Sequence, residues 1–250
     1  AVLLIDLDRF KPVNDLYGHE VGDHVLFEVG ARLERLAASY PSAVIARMGG
    51  DEFACVLEDY PQSRSAERFA SEVISVVKRP ISLNVITVTV GSSIGIADDI
   101  DASVDSVEFL RRADLAMYRA KRAGKNSWRK YDREMDAESR LAAQLVAELR
   151  HGIPRQEVVP HYQPIAAFNN GDWTGFECLA RWNHPHRGIL SADHFIRPAE
   201  ESGLLDDLSL SLLRRACIDA QQWPSHFSLS FNLSALQLRN AWLPEQILRT

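Results

Sequence analysis

The sequence has few cysteines and no pairing pattern among them. Only three of its 250 residues are cysteine, Cys55, Cys178 and Cys217. An odd number of cysteines without C-x-x-C spacing argues against a disulfide framework or a zinc site. Cys55 and Cys178 lie in apolar stretches and are interpreted as small buried hydrophobic residues. A reducing, cytoplasmic compartment fits this usage.

The sequence also lacks an excess of positive charge and long hydrophobic runs. Its formal net charge is -6, whereas proteins that neutralise nucleic-acid phosphates are usually basic, so we expect no nucleic-acid polymer as a partner. No apolar run is long enough to span a bilayer, and no basic segment precedes the apolar start, so we expect neither a membrane segment nor a signal peptide in these residues. Because the chain starts in an apolar run and stops in a helical pattern, we expect both ends to lie inside a longer protein, whose membrane attachment stays open.

The first half alternates short apolar strands with helical patterns. Residues 1–5 read as a buried strand, and a loop marked by Pro12 and Gly18 follows. Further strands are expected over residues 44–46, 53–57, 85–90 and 93–97, and helices over 22–38, 65–78 and 103–123. This order predicts an α+β fold with helices over an antiparallel sheet.

The second half has longer helical patterns. A helix is expected over residues 135–150, a long helix with a possible break at Gly203 over 192–223, a helical pattern over 243–250, and strands over 158–168, 173–180 and 227–233. Strands that alternate with long helices favour the beginning of an α/β barrel.

Acidic residues follow the first strand and occupy a glycine turn. Asp6 and Asp8 are two residues apart and therefore share one face of a strand. Residues 49–52, Gly-Gly-Asp-Glu, predict a hairpin turn whose glycines let a ligand approach the backbone. Strand end and hairpin together favour a carboxylate cluster for one or two metal ions, although each piece alone is more often a loop cap or a plain turn.

Several separated motifs resemble those of GGDEF domains. The run from Asp6 to Asp15, with Gly18-His19 and Gly22-Asp23, resembles the family's nucleotide-binding segment, and residues 49–53 are its Gly-Gly-Asp-Glu-Phe signature. Residues 93–96 and 113–126 are similar to its last strand and helix. The resemblance covers about residues 1–130 and implies a GGDEF domain over residues 1–132, with a nucleotide-cyclase-like sheet and its N-terminal part missing.

This resemblance implies a diguanylate cyclase, in which two facing domains of a homodimer each hold one GTP and condense them to cyclic di-GMP. Asp6, Asp51 and the Leu7 carbonyl would hold Mg²⁺ (or Mn²⁺), and the acid Glu52 would help to deprotonate the attacking hydroxyl. The implied GTP contacts are Asn14 and Asp23 at the guanine edge, Lys11, Lys121 and Lys125 at the triphosphate, and the close backbone approach at Gly49 and Gly50.

The sequence departs from the family at its inhibitory site. An R-x-x-D motif usually precedes the signature by a few residues, but here that place reads Tyr40-Pro41-Ser42-Ala43. We therefore expect no product inhibition through that motif. The family's opening helix would precede residue 1.

The second half carries polar residues in apolar surroundings. Glu177 and Arg181 lie in one apolar run and on residue type alone fit a buried ion pair, and Asn232 fits a helix cap. However, Gln163-Pro164-Ile165, the Glu-Cys-Leu of residues 177–179 followed by Arg181-Trp182, and Asn232-Leu233-Ser234 resemble motifs of EAL domains. Residues 183–185 and 195–200 continue that resemblance.

The resemblance implies the N-terminal part of an EAL domain over residues 133–250, folded as part of a TIM-type barrel. Glu177 and Asn232 would be metal ligands, and Gln163 and Arg181 would contact cyclic di-GMP, which the full-length protein would hydrolyse to linear pGpG. Since other ligands of the family lie beyond residue 250, we expect the 250-residue chain alone not to hydrolyse it. Three hypotheses stay open: a bifunctional enzyme, a phosphodiesterase regulated by a GTP-sensing GGDEF half, and a non-catalytic receptor.

Overall fold

The structure, a computed structural model, describes residues 1–40, 42–58, 65–83, 86–98 and 105–249. The chain divides into two compact units, Ala1–Ala137 and Glu138–Thr250. Each unit has a hydrophobic core of its own. The predicted strand start at Val85 and helix start at Ser103, together with Pro41 and Thr250, lie outside the described residues.

The first unit is an α+β domain. Its elements are β1 (Val2–Asp8), α1 (Phe10–Tyr17), α2 (His19–Ala37), β2 (Ala43–Gly49), β3 (Glu52–Leu57), α3 (Ala66–Val77), β4 (Ile81–Leu83), β5 (Ile86–Val88), β6 (Gly91–Ala97), α4 (Ser106–Arg122), β7 (Trp128–Lys130) and α5 (Arg133–Gly152), of which α5 continues into the second unit. Five strands form a sheet in the order β2-β3-β1-β6-β7, and β4 and β5 form a separate hairpin. Only the β6–β7 pair of the five-stranded sheet is parallel, among the described residues.

Alternation along β1 explains how this sheet is built. Leu3, Ile5 and Leu7 point to one face and are almost completely buried in a core that includes side chains of α2 and α3. The opposite face carries Asp6 and Asp8 at the end of β1. Helix α4 packs closely against β6 and β1, so the acidic end of β1 lies beside the helix that bears Lys121, one of the predicted phosphate-binding lysines.

The predicted loop after Asp6 is wrong in part, because it contains helix α1. Pro12 is the third residue of α1. A proline is tolerated in the first turn of a helix, where the backbone N–H has no partner within the helix. Gly18, with φ +85, then separates α1 from α2. The short strands β4 and β7 were not expected from the sequence.

The second unit is a sheet of four strands with helices. Its remaining elements are β8 (Val158–Ala166), β9 (Trp173–His184), β10 (Gly188–Ser191), α6 (Ala192–Glu201), α7 (Leu205–Ala220), β11 (Ser228–Phe231), a 3₁₀ turn (Gln237–Arg239) and α8 (Leu243–Leu248). The break predicted at Gly203 is confirmed, since this residue lies between α6 and α7 with φ +73.

The TIM-type barrel is not shown by these strands. β8 and β10 pair with β9 in antiparallel fashion, and only β11 is parallel to β9 among the described residues. The short connection between β8 and β9 allows only an antiparallel pair, whereas α6 and α7 provide the crossover that a parallel pair needs. No helix within the described ranges is long and apolar enough to cross a membrane.

Candidate functional site

The end of β1 and the tip of the β2–β3 hairpin lie against each other. Asp6 is directly opposite Glu52 in the antiparallel ladder, and the Leu7 N–H donates a hydrogen bond of 3.2 Å to the Asp51 carbonyl. The structure therefore brings Asp6, Asp51 and Glu52 to one end of the sheet, as the sequence predicted. Asp6 is buried, Asp51 is half-buried and Glu52 is exposed.

The hairpin tip is held by an arginine that the sequence analysis did not single out. Gly50 has φ +55, a conformation that favours glycine. Arg47 donates from Nε and Nη2 to the Gly50 carbonyl at 3.0 and 2.8 Å. The signal in the sequence that could have identified Arg47 is its position two residues before the Gly49-Gly50 pair.

Burial of the Asp6 carboxylate disfavours its charged form. It is 9% exposed, and burial raises its pKa above the ordinary value, an effect to which the nearby carboxylates of Asp51 and Asp8 add. Lys121 opposes this rise, because its Nζ lies 2.6 Å from Asp6 Oδ2. A cation bound beside Asp6 would therefore stabilise the charged form of its carboxylate, as Lys121 does.

The donor set fits a magnesium ion that is shared with a substrate. No group of three or more His, Cys, Asp or Glu side chains in the described part of the chain is arranged to hold a metal. Magnesium in phosphoryl-transfer sites, however, is usually held by one or two carboxylates together with phosphate oxygens. Asp6 and Asp51 supply that number, and Asp6 already has a cationic partner in Lys121.

Asp8 does not belong to this carboxylate cluster as a free ligand. Its Oδ1 accepts a hydrogen bond of 2.8 Å from Ser93 Oγ. Its Oδ2 accepts one of 2.7 Å from the Asn126 N–H. The sequence pattern had grouped Asp8 with Asp6, but both oxygens of Asp8 are used to connect β1 to β6 and to the turn after α4.

Asn14, one of the two residues predicted to contact guanine, packs against the residue that precedes the other, Asp23. Asn14 in α1 packs against the start of α2, where a Cβ at Gly22 would lie 1.8 Å from Asn14 Oδ1. Asp23 is the next residue after Gly22 and is exposed. Only glycine at position 22 allows this close approach, so its role is structural.

The three predicted triphosphate lysines differ in their surroundings. Lys121 is paired with Asp6, whereas Lys11, in the first turn of α1, is exposed. Lys125 is also exposed and lies after α4 in a left-handed conformation with φ +65. The structure thus places Lys121 at the acidic site, and Lys125 in the turn that Asp8 contacts through Asn126.

The residues predicted to form the second site meet on one face of the second unit's sheet. Gln163 lies directly opposite Glu177, and Asn232 Nδ2 donates a hydrogen bond of 2.7 Å to Glu177 Oε1. Arg181 is four residues further along β9 on the same face, and its Nη1 donates to the Ala180 carbonyl at 2.8 Å. Carboxylate and amide oxygens are suitable ligands for a hard divalent ion.

Cys178 points away from this face. It is 4% exposed, and burial raises the pKa of its thiol to about 11. The cysteine in the Glu-Cys-Leu motif is therefore a neutral core residue. A cavity of about 430 Å³ between β9, α6 and α7 is lined by Cys178 and reaches Asn232, but Gln163, Glu177 and Arg181 do not line it.

The first unit is thus an α+β domain in which a strand-end aspartate lies against a Gly-Gly-Asp-Glu hairpin, which gives an acidic site at one end of its sheet. Residues 1–127 match the family model described as "Diguanylate cyclase, GGDEF domain", and residues 146–250 match the one described as "EAL domain". The chain belongs to the GGDEF diguanylate cyclase family and continues into an EAL domain. Enzymes of both kinds generally depend on divalent metals.

Curated relatives are similar over almost the whole chain. An uncharacterized signaling protein of Caulobacter vibrioides is 40% identical over 98% of this chain and 30% of its own length. The bifunctional diguanylate cyclase/cyclic di-GMP phosphodiesterase MucR of Pseudomonas aeruginosa is 35% identical over 99% of this chain and 36% of its own length. The cyclic di-GMP phosphodiesterase NbdA of the same organism is 36% identical over 88% of this chain and 28% of its own length. The chain thus spans about a third of the length of these relatives.

Solved structures support the fold. The GGDEF domain of PA1120 (TpbB or YfiN) from Pseudomonas aeruginosa aligns with 54% of this chain and 78% of its own, with 37% identity and a TM-score of 0.51. The S helix-GGDEF-EAL structure of Vibrio cholerae LapD aligns with 98% of this chain and 57% of its own, with 16% identity and a TM-score of 0.63. The latter bears on the fold alone.

Proposed function

We propose that the chain is part of a protein that turns over cyclic di-GMP in bacterial signalling. The first unit condenses two GTP molecules, and the complete EAL domain of the full-length protein hydrolyses the product to linear pGpG. The observation that carries this proposal is the buried Asp6 carboxylate against the Gly49–Glu52 hairpin, with the Lys121 ammonium 2.6 Å away. A cytoplasmic location follows from GTP as substrate and agrees with three free cysteines.

Asp6 and Asp51 hold the divalent ion in this proposal, and the Leu7 carbonyl assists. Bound Mg²⁺ (or Mn²⁺) supplies neutralisation of negative charge on the reacting phosphates. Asn14 and Asp23 bind the guanine edge, because an amide and a carboxylate match its donors and acceptors.

The triphosphate is bound by the remaining cations and by the hairpin. Lys121 exchanges its contact with Asp6 for the phosphates, and Lys11 and Lys125 are exposed and free to approach them. Gly49 and Gly50 have no Cβ, so the nucleotide can lie close to the hairpin backbone.

Glu52 helps to remove the proton from the 3′-hydroxyl of one GTP, whose oxygen attacks the α-phosphorus of the other. The new O3′–P bond forms as the bond to pyrophosphate breaks, and a second such step closes the ring with release of a second pyrophosphate. Because each domain holds one GTP, two copies must face each other, so the active form is a homodimer.

The test separates the two activities. The full-length protein is incubated with GTP and, separately, with cyclic di-GMP, each with Mg²⁺, and the products are resolved by chromatography. We expect cyclic di-GMP from GTP, and a loss of at least roughly a hundredfold in Glu52→Ala, the usual range for an acid–base group. Glu58→Ala, an exposed acid just after β3, is the matched control and should retain activity.

A second candidate is a phosphodiesterase whose GGDEF half only senses GTP. The Glu177–Asn232 contact with Gln163 opposite favours it, as does the similarity to a relative named only as a phosphodiesterase. This candidate predicts linear pGpG from cyclic di-GMP, no product from GTP, and no effect of Glu52→Ala on nucleotide turnover.

A non-catalytic receptor is less favoured, because it has no need for Asp6, Asp51, Glu52 and Glu177. We also propose that the 250-residue chain alone does not hydrolyse cyclic di-GMP, since its four EAL strands form an open sheet.

A further inference from the structure

The turn that follows α4 has an uncommon backbone. Gly124, Lys125 and Asn126 are three consecutive residues with positive φ, at +116°, +65° and +46°. The left-handed region is unfavourable for a non-glycine residue, because its Cβ lies too close to the following carbonyl oxygen. Such a conformation persists where surrounding contacts over-determine it, and it often marks a functional position.

One contact that determines this turn comes from β1. Asp8 is 4% exposed, and its Oδ2 accepts the Asn126 N–H at 2.7 Å. Its other oxygen is fixed by Ser93 Oγ at 2.8 Å. A hydrogen bond to a buried, charged acceptor is stronger than one between neutral groups, so Asp8 is a firm anchor for the residue next to Lys125.

The space around this anchor is closely filled. A Cβ at Gly91, the β6 residue opposite Asp8 in the ladder, would lie 3.1 Å from Asn126 Oδ1 and 3.2 Å from Asp8 Oδ2. The Asn126 side chain and the Asp8 carboxylate therefore both lie over Gly91. The second aspartate of the Asp6-x-Asp8 pair is part of a junction of β1, β6 and the turn.

We propose that Asp8 is a positioning residue for GTP binding: it fixes the left-handed turn after α4 and thereby aims Lys125 at the triphosphate. The two aspartates of β1 then have different tasks, since Asp6 faces the cation and Asp8 sets the position of a phosphate-binding lysine. This inference rests on the proposed function, because it takes Lys125 to be a GTP contact.

Substitutions at position 8 separate positioning from metal ligation. Asn at position 8 keeps both contacts, with Oδ1 accepting from Asn126 N–H and Nδ2 donating to Ser93 Oγ, whereas Ala removes both. We expect Asp8→Ala to weaken binding of a non-hydrolysable GTP analogue to the full-length protein by about tenfold, because the turn that carries Lys125 loses its hydrogen bond to Asp8, and Asp8→Asn to stay within about twofold. The Mn²⁺ affinity of the protein saturated with the analogue should be unchanged in both.

A double-mutant cycle tests whether Asp8 acts through Lys125. In a Lys125→Met background, Asp8→Ala should add less than about twofold, because the contact it positions is gone. Full multiplication of the two effects would overturn the proposal. So would loss of Mn²⁺ affinity in Asp8→Asn, which would make Asp8 a metal ligand. If Asp8→Ala does not fold, Gly91→Ala replaces it, since its Cβ crowds both Asn126 Oδ1 and Asp8 Oδ2 and so disturbs their contact while the carboxylate is kept.

A measurement that needs no GTP separates this proposal from the proposed function. Amide hydrogen exchange at Asn126 should be faster in Asp8→Ala than in the native protein and unchanged in Asp8→Asn. Unchanged exchange in Asp8→Ala would contradict the anchoring itself. Absence of GTP binding by the native protein, with the exchange result as expected, would instead refute the GTP site and, with it, the role of Lys125.

Discussion

At the scale of single residues, the burial of the charged Asp6 carboxylate lowers the stability of the folded protein. Burial raises the pKa of Asp6 above 3.8, and Lys121 only partly opposes the rise. The folded state therefore binds this proton more tightly than the unfolded state does. The stability linked to protonated Asp6 is present below 3.8 and is lost as pH rises through the raised pKa.

Asp6→Asn keeps the shape of the side chain and removes its charge. We expect this variant to be at least as stable as the native protein at neutral pH, and the difference to vanish as pH falls towards 3.8. Cyclase activity should fall to below roughly one hundredth, because a charge-stabilising group is lost from the reaction site. Urea unfolding across this pH range is the measurement, and a variant less stable than the native protein at neutral pH would mean that the Lys121 ion pair outweighs the burial.

Asp6 and Asp8 also mark how far the sequence could specify the site. The alternation along β1 predicted that both share a face, and they do. Their different roles depend on Ser93 and Asn126, which are 85 and 118 residues away from Asp8 in the chain. Such contacts exist only once the strands and the turn after α4 have been brought together, so no local pattern distinguishes the two acids.

At the scale of secondary-structure elements, Arg47 holds the tip of the β2–β3 hairpin through two hydrogen bonds to the Gly50 carbonyl. We expect Arg47→Ala to release the Gly50 carbonyl, loosen the tip that carries Asp51, and lower cyclase activity by about tenfold, since misplaced catalytic groups are costly. The change in the free energy of unfolding should stay below about 1 kcal/mol, because the bond is exposed. Arg129→Ala, which removes an exposed bond to the Trp128 carbonyl, is the control; equal activity in both variants would contradict the role of Arg47.

The packing of α4 on β6 depends on Gly95. A Cβ there would lie 1.9 Å from the Ala113 carbonyl oxygen and 2.2 Å from Met117 N. We expect Gly95→Ala to push α4 away from the sheet, to cost about 1–3 kcal/mol of stability and to weaken GTP binding through Lys121. Gly30→Ala in α2, whose Cβ would meet only Phe53 at 3.8 Å, should instead be neutral or stabilising by about 0.5–1 kcal/mol. Thermal unfolding and GTP titration of both variants test this prediction. Equal destabilisation of the two variants would contradict the close approach of α4 to β6 at Gly95.

Most long elements were predictable because their periodicity is local. Helices α2, α3 and α5 lie within three residues of the predicted bounds, since each carries an apolar stripe of its own. Helix α1 was missed, because Pro12 was taken for a breaker although it lies in a first turn. The antiparallel start of the second unit was also missed, since an alternation of strands and helices says nothing about the short β8–β9 connection.

At the scale of the whole molecule, the chain has two units with separate cores. The first core contains β1 and residues of α1 and α2, the helices that carry the predicted contacts Lys11, Asn14 and Asp23, so ligand binding should stabilise that unit directly. We therefore expect the 250-residue chain to unfold in two thermal transitions. The predicted domain boundary at residues 132 and 133 stays a prediction.

GTP with Mg²⁺ should raise only one of these two transitions. Ligand at a hundred times its Kd stabilises the binding unit by about 2.7 kcal/mol, and the second unit has no predicted GTP contact. Calorimetry of the chain with and without Mg²⁺ and a non-hydrolysable GTP analogue, with the matching ATP analogue as control, measures this. A shift of both transitions, or an equal shift with the ATP analogue, would contradict a guanine site formed by Asn14 and Asp23 within the first unit, because selective binding must act on the unit that contains those residues.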